Sequence, residues 1–387
     1  MRIKRSARAA LALTAVVTAA PVLGEIETYT YGGSGDESME AIAVSADGRI
    51  LMTGRTNSSD GTLAARTKPG RSGWALCVDG SGEVRFNFVS RLGNHDIMTS
   101  PVWHEDGTAT LVLEAETDSA QEFEAIRLDG AGNVRSRKTM LKTGGGIAYL
   151  MIPMQRFDAG YVIEESDDQL NVISRQLFSF DGMPLGMATD WKTGVRVVAE
   201  RHVIRIEDRQ ARLYRIDDAG GETEVAELFT VPESGQLPTN YTSLISLEDG
   251  GAAGCGWVLD SKTQLRKGRI TRWDAQGNTV FDMWMETGRL WDLVKTEGGF
   301  AASSYPNETT EPEYEYHNCP WELRYFTEDG IPNRRVPLES SDDPISSSVG
   351  CMLALLPDGS IAAVQNFRAD SDSWDGQIRL TVVPPQK

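Results

Sequence analysis

Short runs in which apolar and polar residues alternate, broken at regular intervals by glycine-containing turns, fill the chain after its first 24 residues. The first four runs are Met39–Val44, Arg49–Gly54, Gly73–Val78 and Val84–Phe88. The next four are Met98–Trp103, Ala109–Glu114, Phe123–Leu128 and Val134–Thr139. Runs of this length, mixing β-branched, aromatic and alternating polar residues between turn formers, predict strands. Beyond the N-terminus no stretch shows the spacing of an amphipathic helix over a useful length. The expected class is all-β.

Two series of turns punctuate the strands. One comprises Asp47-Gly48, Asp106-Gly107, Asp158-Ala159-Gly160, Asp249-Gly250, Glu297-Gly298-Gly299 and Asp358-Gly359. The other comprises Asp79-Gly80-Ser81-Gly82, Asp129-Gly130-Ala131-Gly132, Asp181-Gly182, Asp217-Asp218-Ala219-Gly220, Asp274-Ala275-Gln276-Gly277 and Asp329-Gly330. Glycine takes positive φ without steric cost, and an Asp side chain bonds to the backbone of its own turn. The series interleave with a period of about 50 residues, so each period holds two hairpins, the arithmetic of a β-propeller blade.

Inner strands beginning near Met39, Met98, Ala148, Val195, Tyr241, Leu290 and Ser347 predict a seven-bladed β-propeller over residues 25–387. The fourth unit is irregular, with Glu200-Arg201-His202 where the Asp-Gly turn belongs. The seventh lacks an outer strand, while Glu25–Tyr31 is an orphan strand at the other end. An N-terminal strand that closes the last blade removes an exposed sheet edge. Two stacked β-sandwiches would also use many short strands, but they do not require such a period.

The segments Tyr31-Gly32-Gly33-Ser34-Gly35-Asp36 and Ile42-Ala43-Val44-Ser45-Ala46-Asp47-Gly48-Arg49-Ile50-Leu51-Met52-Thr53-Gly54-Arg55-Thr56 resemble a bacterial secreted β-propeller repeat class, of the pattern GGSGD…IAVxxDGxIxxTGxT. Gly73–Gly82 is similar to the strand and turn that follow in that class. The resemblance covers residues 31–88 and fades to turn signals elsewhere. It implies a propeller fold and a secreted location, and carries over no catalytic residues.

Residues 1–24 read as a signal peptide. Arg2, Lys4, Arg5 and Arg8 precede an apolar run from Ala9 to Ala19, and Val22-Leu23-Gly24 offers a cleavage site. That run is too short to span a bilayer comfortably, and no other stretch approaches the length needed. The product is expected to be exported, soluble, extracellular and monomeric. With a formal net charge of −18 and a pI near 4.7, the chain lacks the basic footprint of a nucleic-acid or anionic-membrane binder.

Chemistry is sparsely signalled. The zincin, nucleophile-elbow, P-loop and CxxC patterns are absent, and His95, His104, His202 and His317 show no metal-ligand spacing. Asp370-Ser371-Asp372-Ser373-Trp374-Asp375-Gly376 approaches a calcium loop, but Trp374 stands where the third oxygen ligand belongs and Asp375 is displaced by one. No cofactor is expected; calcium at Asp370, Asp372 and Asp375 is the exception to test. Cys77, Cys255, Cys319 and Cys351 fall in four different blades and predict thiols rather than a disulfide framework, with Cys319–Cys351 the pair to test. Trp74, Trp257, Trp273, Trp284 and Trp321 lie in or beside strands, where packing between blades is their expected role.

In a four-stranded blade the loops from second to third strand share one face with the connections between blades. Three of these loops are long: Arg55–Ser72 in blade 1, Ser304–Pro320 in blade 6 and Arg368–Asp375 in blade 7. Ring closure makes those blades neighbours, so the loops are expected to form one rim. Its ligand-binding candidates are Arg55, Arg66 and Arg71 from the first loop, Tyr305, Tyr314, Tyr316 and His317 from the second, and Trp374 and Asp375 from the third. Exposed Tyr, Trp and Arg on a rigid scaffold are usual binding anchors. The expected function is a binding or interaction module for an extracellular glycan or protein. The alternative is an extracellular hydrolase or lyase acting on a glycan at the channel mouth, with carboxylate or Tyr/His chemistry.

Overall fold

The 28 strands among the described residues form seven sheets, each of four antiparallel strands. The computed structural model describes residues 26–61, 71–90, 95–117, 120–142, 154–157, 160–166, 172–187, 195–207, 209–217, 221–230, 239–260, 266–285, 288–305, 321–338, 350–368 and 376–385. After β1 (Glu27–Tyr31), blade 1 holds β2 (Glu37–Val44), β3 (Ile50–Thr56), β4 (Ser72–Val78) and β5 (Val84–Val89). Blade 2 holds β6 (Ile97–Trp103), β7 (Ala109–Thr117), β8 (Ala120–Leu128) and β9 (Val134–Lys142). Blade 3 holds β10 (Met154–Phe157), β11 (Gly160–Ser166), β12 (Val172–Ser179) and β13 (Pro184–Met187). Blade 4 holds β14 (Val195–Val198), β15 (His202–Glu207), β16 (Gln210–Ile216) and β17 (Glu222–Thr230). Blade 5 holds β18 (Asn240–Ser246), β19 (Ala252–Leu259), β20 (Arg266–Trp273) and β21 (Thr279–Trp284). Blade 6 holds β22 (Arg289–Thr296), β23 (Gly299–Tyr305), β24 (Glu322–Thr327) and β25 (Pro332–Pro337). Blade 7 holds β26 (Cys351–Leu355), β27 (Ile361–Arg368) and β28 (Gly376–Val383), and its outer strand is β1. The protein is a seven-bladed β-propeller closed by its N-terminal strand, in the register Glu27↔Val382 to Tyr31↔Ile378.

The apolar core lies between blades. Tyr31, Met39, Met52, Trp74, Leu76, Val364, Ile378 and Leu380 join blade 7 to blade 1; Leu51, Cys77, Met98, Leu111, Leu113 and Ile126 join blade 1 to blade 2. Similar clusters join blades 2 and 3, 4 and 5, 5 and 6, and 6 and 7. This follows from the pattern of the middle strands: β3 and β4 are buried on nearly every residue because both faces of the sheet meet a neighbour. Outer strands have less cover. That is why Trp284, on β21, is half exposed at 50% instead of buried as expected, while Trp74, Trp273 and Trp321 are buried.

The turns that looked alike in sequence use Asp in two ways. Ser45 N–H donates to Arg49 O at 2.9 Å and Gly48 N–H to Ser45 O at 2.9 Å, and the same pair of bonds recurs around Gly82, Gly107, Gly132, Gly182, Gly250, Gly277, Gly330 and Gly359. Each of these glycines has φ between 73° and 84°. This is the three-residue hairpin loop, a type I turn completed by a left-handed glycine. In four of the second-series turns, at Asp79, Asp129, Asp217 and Asp274, Asp begins the loop, while Asp181 and Asp329 stand just before the closing glycine as in the first series. Asp129 Oδ1 accepts from Ala131 N–H (3.0 Å) and Asn133 N–H (2.9 Å), and Asp274 Oδ1 from Gln276 N–H (2.9 Å) and Asn278 N–H (2.8 Å). In the first series Asp stands just before the glycine and its backbone donor is the N–H two residues on, as Asp249 accepts from Gly251 N–H at 2.9 Å. Asn133, Asn278, Thr108 and Gly251 hydrogen-bond to Asp129, Asp274, Asp106 and Asp249 respectively, and so lower those carboxyls' pKa.

Second-series glycines also meet the preceding blade. A Cβ on Gly82 would collide with the Tyr29 ring of β1, one on Gly132 with the Phe86 ring of β5, and one on Gly330 with the Phe281 ring of β21. Tyr29 thus occupies, in the closing strand, the place that Phe86 and Phe281 hold in ordinary outer strands. Tyr31 adds a hydrogen bond from its hydroxyl to Gly82 O at 2.8 Å. Charge follows the same route. Arg127 of blade 2 pairs with Asp106 of its own blade (2.9 Å) and Asp181 of blade 3 (2.8 Å); Arg272 of blade 5 pairs with Asp249 (2.8 Å) and with Glu328 of blade 6 (3.3 Å).

The inner strand of blade 3 is described from Met154, and its expected start near Ala148 lies outside the described residues. Two details depart from expectation. The closing strand begins at Glu27, and β2 begins at Glu37, two residues before Met39. At the irregular fourth blade, His202 replaces the Asp-Gly turn with a buried imidazole whose Nδ1 lies 3.0 Å from Ser246 Oγ of blade 5. Burial, helped by Arg215 and Arg201 and opposed by Asp249, pushes His202 down to about 4. Cys77 and Cys255 are buried thiols; burial raises the first to about 12 and the second well above its ordinary value. Cys351 is buried as well, and Cys319 lies outside the described residues.

Gly82→Ala is expected to cost about 1–3 kcal/mol, from the left-handed φ and the Tyr29 collision together. Gly80→Ala, where a Cβ meets nothing within 4 Å, serves as control. Urea unfolding checks both, and Tyr29→Ala should recover part of the Gly82→Ala loss; strictly additive losses would contradict the packing. Because the folded pKa of His202 is depressed, its contribution to stability is complete above about pH 6.5 and is lost as pH falls through about 4. His202→Gln should therefore lose less melting temperature than the parent between pH 7 and pH 4.5. Parallel pH profiles would sink this assignment.

Candidate functional site

The strand directions put the Asp-Gly turns on one face and the ends of second strands, the starts of third strands and the blade connections on the other. On this loop face two groups of described side chains stand out. The first is at the closure of the ring. Residues 32–36, glycine-rich and joining β1 to β2, present a run of backbone N–H groups, and side chains after β3 together with Glu37 of β2 accept them. Ser34 N–H donates to Asp60 Oδ1 (2.7 Å), Gly35 N–H to Ser58 Oγ (2.6 Å) and Gly33 N–H to Glu37 Oε2 (3.1 Å). Glycine is required at 33 and 35, where a Cβ would strike Asp60 and Asn57.

Glu37, 1% exposed, anchors this loop: its Oε1 accepts from Thr56 Oγ1 at 2.8 Å and from Ser58 Oγ. Burial raises its pKa, against the lowering effect of those donors. Beside it Arg71 pairs with Asp36 at 3.6 Å and bridges through its backbone to His95. Arg55, half-buried on β3, lies opposite Ser38 and Gly73 in the sheet.

The second group joins blades 5 and 6. Trp257 near the end of β19, Arg266 at the start of β20, Arg289 at the start of β22 and Tyr305 at the end of β23 all lie at this face. The Arg266 guanidinium sits 4.8 Å from the Trp257 ring centre, and that of Arg289 lies 5.5 Å from the same ring and 5.8 Å from Tyr305. Tyr305 in turn packs on Trp321 at 5.5 Å. On the other side of blade 5, Arg269 lies 5.4 Å from exposed Trp284 and forms a bidentate pair with Asp282 (2.7 and 3.0 Å).

Nearer the channel, Asp292 accepts from Ser243 Oγ of blade 5 (2.7 Å), Leu293 N–H (2.8 Å) and Leu353 N–H of blade 7 (2.7 Å), stitching three inner strands together. Burial raises its pKa despite these bonds.

Of the expected rim, Arg55, Arg71 and Tyr305 are described. Arg55 and Arg71 share blade 1. Tyr305 belongs to the blade 5–6 group and is buried at 8% exposure, where it was expected as an exposed anchor, because Trp321 and Arg289 cover its ring. Arg66, Tyr314, Tyr316, His317, Trp374 and Asp375 lie outside the described residues, as do Asp370 and Asp372 of the calcium candidate. No group of three or more metal-ligating side chains occurs among the described residues, and no described helix is long and apolar enough to cross a membrane. Sequence reasoning missed the Trp257–Arg266–Arg289 group. Its members come from three strands of two blades, and only the placement of both arginines at strand starts hinted at it.

No family's sequence profile matches the chain, and no curated protein matches it. Among solved structures it is similar to a protein of unknown function from Dyadobacter fermentans, at 9% identity and a TM-score of 0.51, over 95% of this chain and 100% of that one. It is also similar to a point mutant of NanB sialidase from Streptococcus pneumoniae, at 10% identity and a TM-score of 0.46, over 92% and 70% of the two chains. At 9% identity the first likeness speaks to the propeller fold alone.

Glu37→Ala strands the Thr56 and Ser58 hydroxyls and the Gly33 N–H, and is expected to cost about 2–4 kcal/mol in urea unfolding. Asp60→Ala, at an exposed acceptor for one N–H, should move the midpoint far less. Equal effects would mean that Glu37 is not the anchor.

Proposed function

We propose that the protein is a secreted binding module whose ligand, an extracellular glycan or protein, is held on the loop face. The observation that carries this reading is the contrast between the two faces. The turn face is built from short hairpins, nine of them of one geometry among the described residues, with carboxylates engaged by their own backbone and by Arg127 and Arg272. The loop face gathers Trp257, Arg266 and Arg289, with exposed Trp284 on the other side of blade 5, and its long connections carry the remaining candidates. Aromatic and arginine side chains on a rigid frame are the usual energetic centres of recognition. The positively charged, then apolar N-terminus and the resemblance of residues 31–88 to secreted propeller repeats support export. Glu37 and Asp292, two buried acids near this face and the channel, are engaged by scaffold donors, which weighs against using them as the acid and base of a glycan hydrolase or lyase.

The test is a saccharide and protein array screened with the chain lacking residues 1–24. For a ligand so found, Trp374→Ala and Tyr316→Ala should each weaken binding about tenfold or more with little change in melting temperature. Unchanged affinity in both, or ligand protection confined to the turn face in hydrogen exchange, would place the site elsewhere.

A further inference from the structure

Among the described residues, every exposed large apolar side chain but one lies at or near the turn-face end of its strand, as Val84, Val134, Val280 and Ile331 do. The exception is Trp284, at the loop-face end of β21 and 50% exposed. The blade does not need an indole there. Trp284 stands seven residues after the left-handed glycine of its hairpin, where blades 1, 2 and 6 have Val89, Thr139 and Pro337.

The indole is nevertheless held in place. Trp284 pairs with Arg269 across the strands and Asp282 with Thr271, so these four side chains share one face of the sheet. It is the face turned toward blade 4, on which Tyr241 and Trp273 pack against Leu213. Trp284 Nε1–H donates to Asp282 Oδ2 at 3.3 Å, and the Arg269 guanidinium lies 5.4 Å from the indole ring centre. Arg269 and Asp282 are fixed in turn. They form a bidentate pair at 2.7 and 3.0 Å, Thr239 Oγ1 accepts from another Arg269 nitrogen, and Thr271 Oγ1 donates to Asp282 Oδ1 at 3.0 Å. The ring is therefore tied at its polar edge while half of its surface stays in water, and little side-chain freedom is left to lose on binding.

We infer that Trp284 is a stacking platform for a neutral pyranose unit of a glycan. The inference rests on the reading of the loop face as a glycan site, and it names the class of sugar and the residue that receives it. A protein partner anchors on an aromatic side chain ringed by further apolar contact that excludes water. Here the exposed apolar surface is one indole wide and its neighbours on the sheet are Arg269, Asp282 and Thr271. That width matches the C–H face of one sugar ring, whose hydroxyls remain hydrated around the rim. Gluco-configured sugars, with equatorial ring hydroxyls, offer such a face. Charge selects against acidic sugars. Arg269 and Asp282 neutralise each other, so the platform adds no net positive charge to offset the chain's formal −18.

Titration calorimetry of the exported chain with cellotetraose, laminaritetraose and chitotetraose tests the platform. At least one should bind. Trp284→Ala should weaken it about tenfold or more with little change in melting temperature, since the side chain is half exposed. Val280→Ala, which removes an equally exposed side chain at the other end of the same strand, should leave affinity unchanged. In fluorotryptophan-labelled protein, the fluorine resonance missing from Trp284→Phe should shift on saturation with sugar. No binding of all three sugars, unchanged affinity in Trp284→Ala, an equal loss in Val280→Ala, or an unshifted resonance would overturn the inference. So would tighter binding of cellobiouronate than of cellobiose. If the platform fails but a saccharide from the array binds in a manner sensitive to Tyr316→Ala, the loop-face reading survives without it. A protein ligand that depends on Trp284 overturns the sugar assignment and keeps the loop face as a binding surface. If the array yields neither a saccharide nor a protein, both readings fall.

Discussion

The pairing of β1 with β28 is the constraint on which the ring depends. A propeller blade buries both faces of its middle strands only when a neighbour stands on each side. Blade 7 has three strands from the C-terminus and takes its fourth from the N-terminus. Through Tyr31 and Gly82 that fourth strand also reaches blade 1, so one segment completes a sheet, fills an interface and hydrogen-bonds across it. Residues more than 300 apart in the chain must meet for this to happen. Loop closure costs rise only slowly with length, so the stability penalty is modest, but such non-local pairing favours slow folding.

Closure also divides the molecule into a face of fixed turns and a face of variable connections. On the turn face the same hairpin is repeated, and each second-series glycine answers two demands at once. It must adopt positive φ, and at Gly82, Gly132 and Gly330 it must leave room for an aromatic ring from the previous blade. Arginines that span adjacent blades reinforce this contact at the surface. Among the described residues the loop face repeats a strand-end bond, as from Ser90 N–H to Gly73 O, Met285 N–H to Gly268 O and Leu338 N–H to Trp321 O, rather than a hairpin loop. What is ordered there is ordered locally, by Glu37 under the glycine-rich loop and by stacked arginines between blades 5 and 6. A scaffold that is uniform on one side and irregular on the other lets the irregular side vary without loss of the ring.

The architecture was legible in the sequence because it rests on local chemistry. Strand alternation, the glycine in each hairpin and the 50-residue period are properties of neighbouring residues, and an orphan strand at Glu25–Tyr31 was visible against the missing strand of blade 7. Even His202 showed itself as a gap in the turn series. What one turn does for the next blade was not legible, since a glycine chosen for φ and one chosen for space look identical. The use of Asp also divided only once the hydrogen bonds were known: Asp129 opens its loop and Asp249 ends one, yet both precede glycine.

For the candidate site the balance is reversed. The sequence identified the loop face and placed Arg55, Arg71 and Tyr305 near it, since strand order alone decides which ends point the same way. It misjudged Tyr305, whose burial depends on Trp321 sixteen residues later. It gave no notice of Trp257, Arg266 and Arg289 as a unit. The hydrophobic pattern and turn chemistry of each segment determined that this chain forms seven blades and closes them with its own N-terminal strand. Only the tertiary structure decided which side chains meet at the loop face, because a contact between blades is set by the angle and register of two sheets.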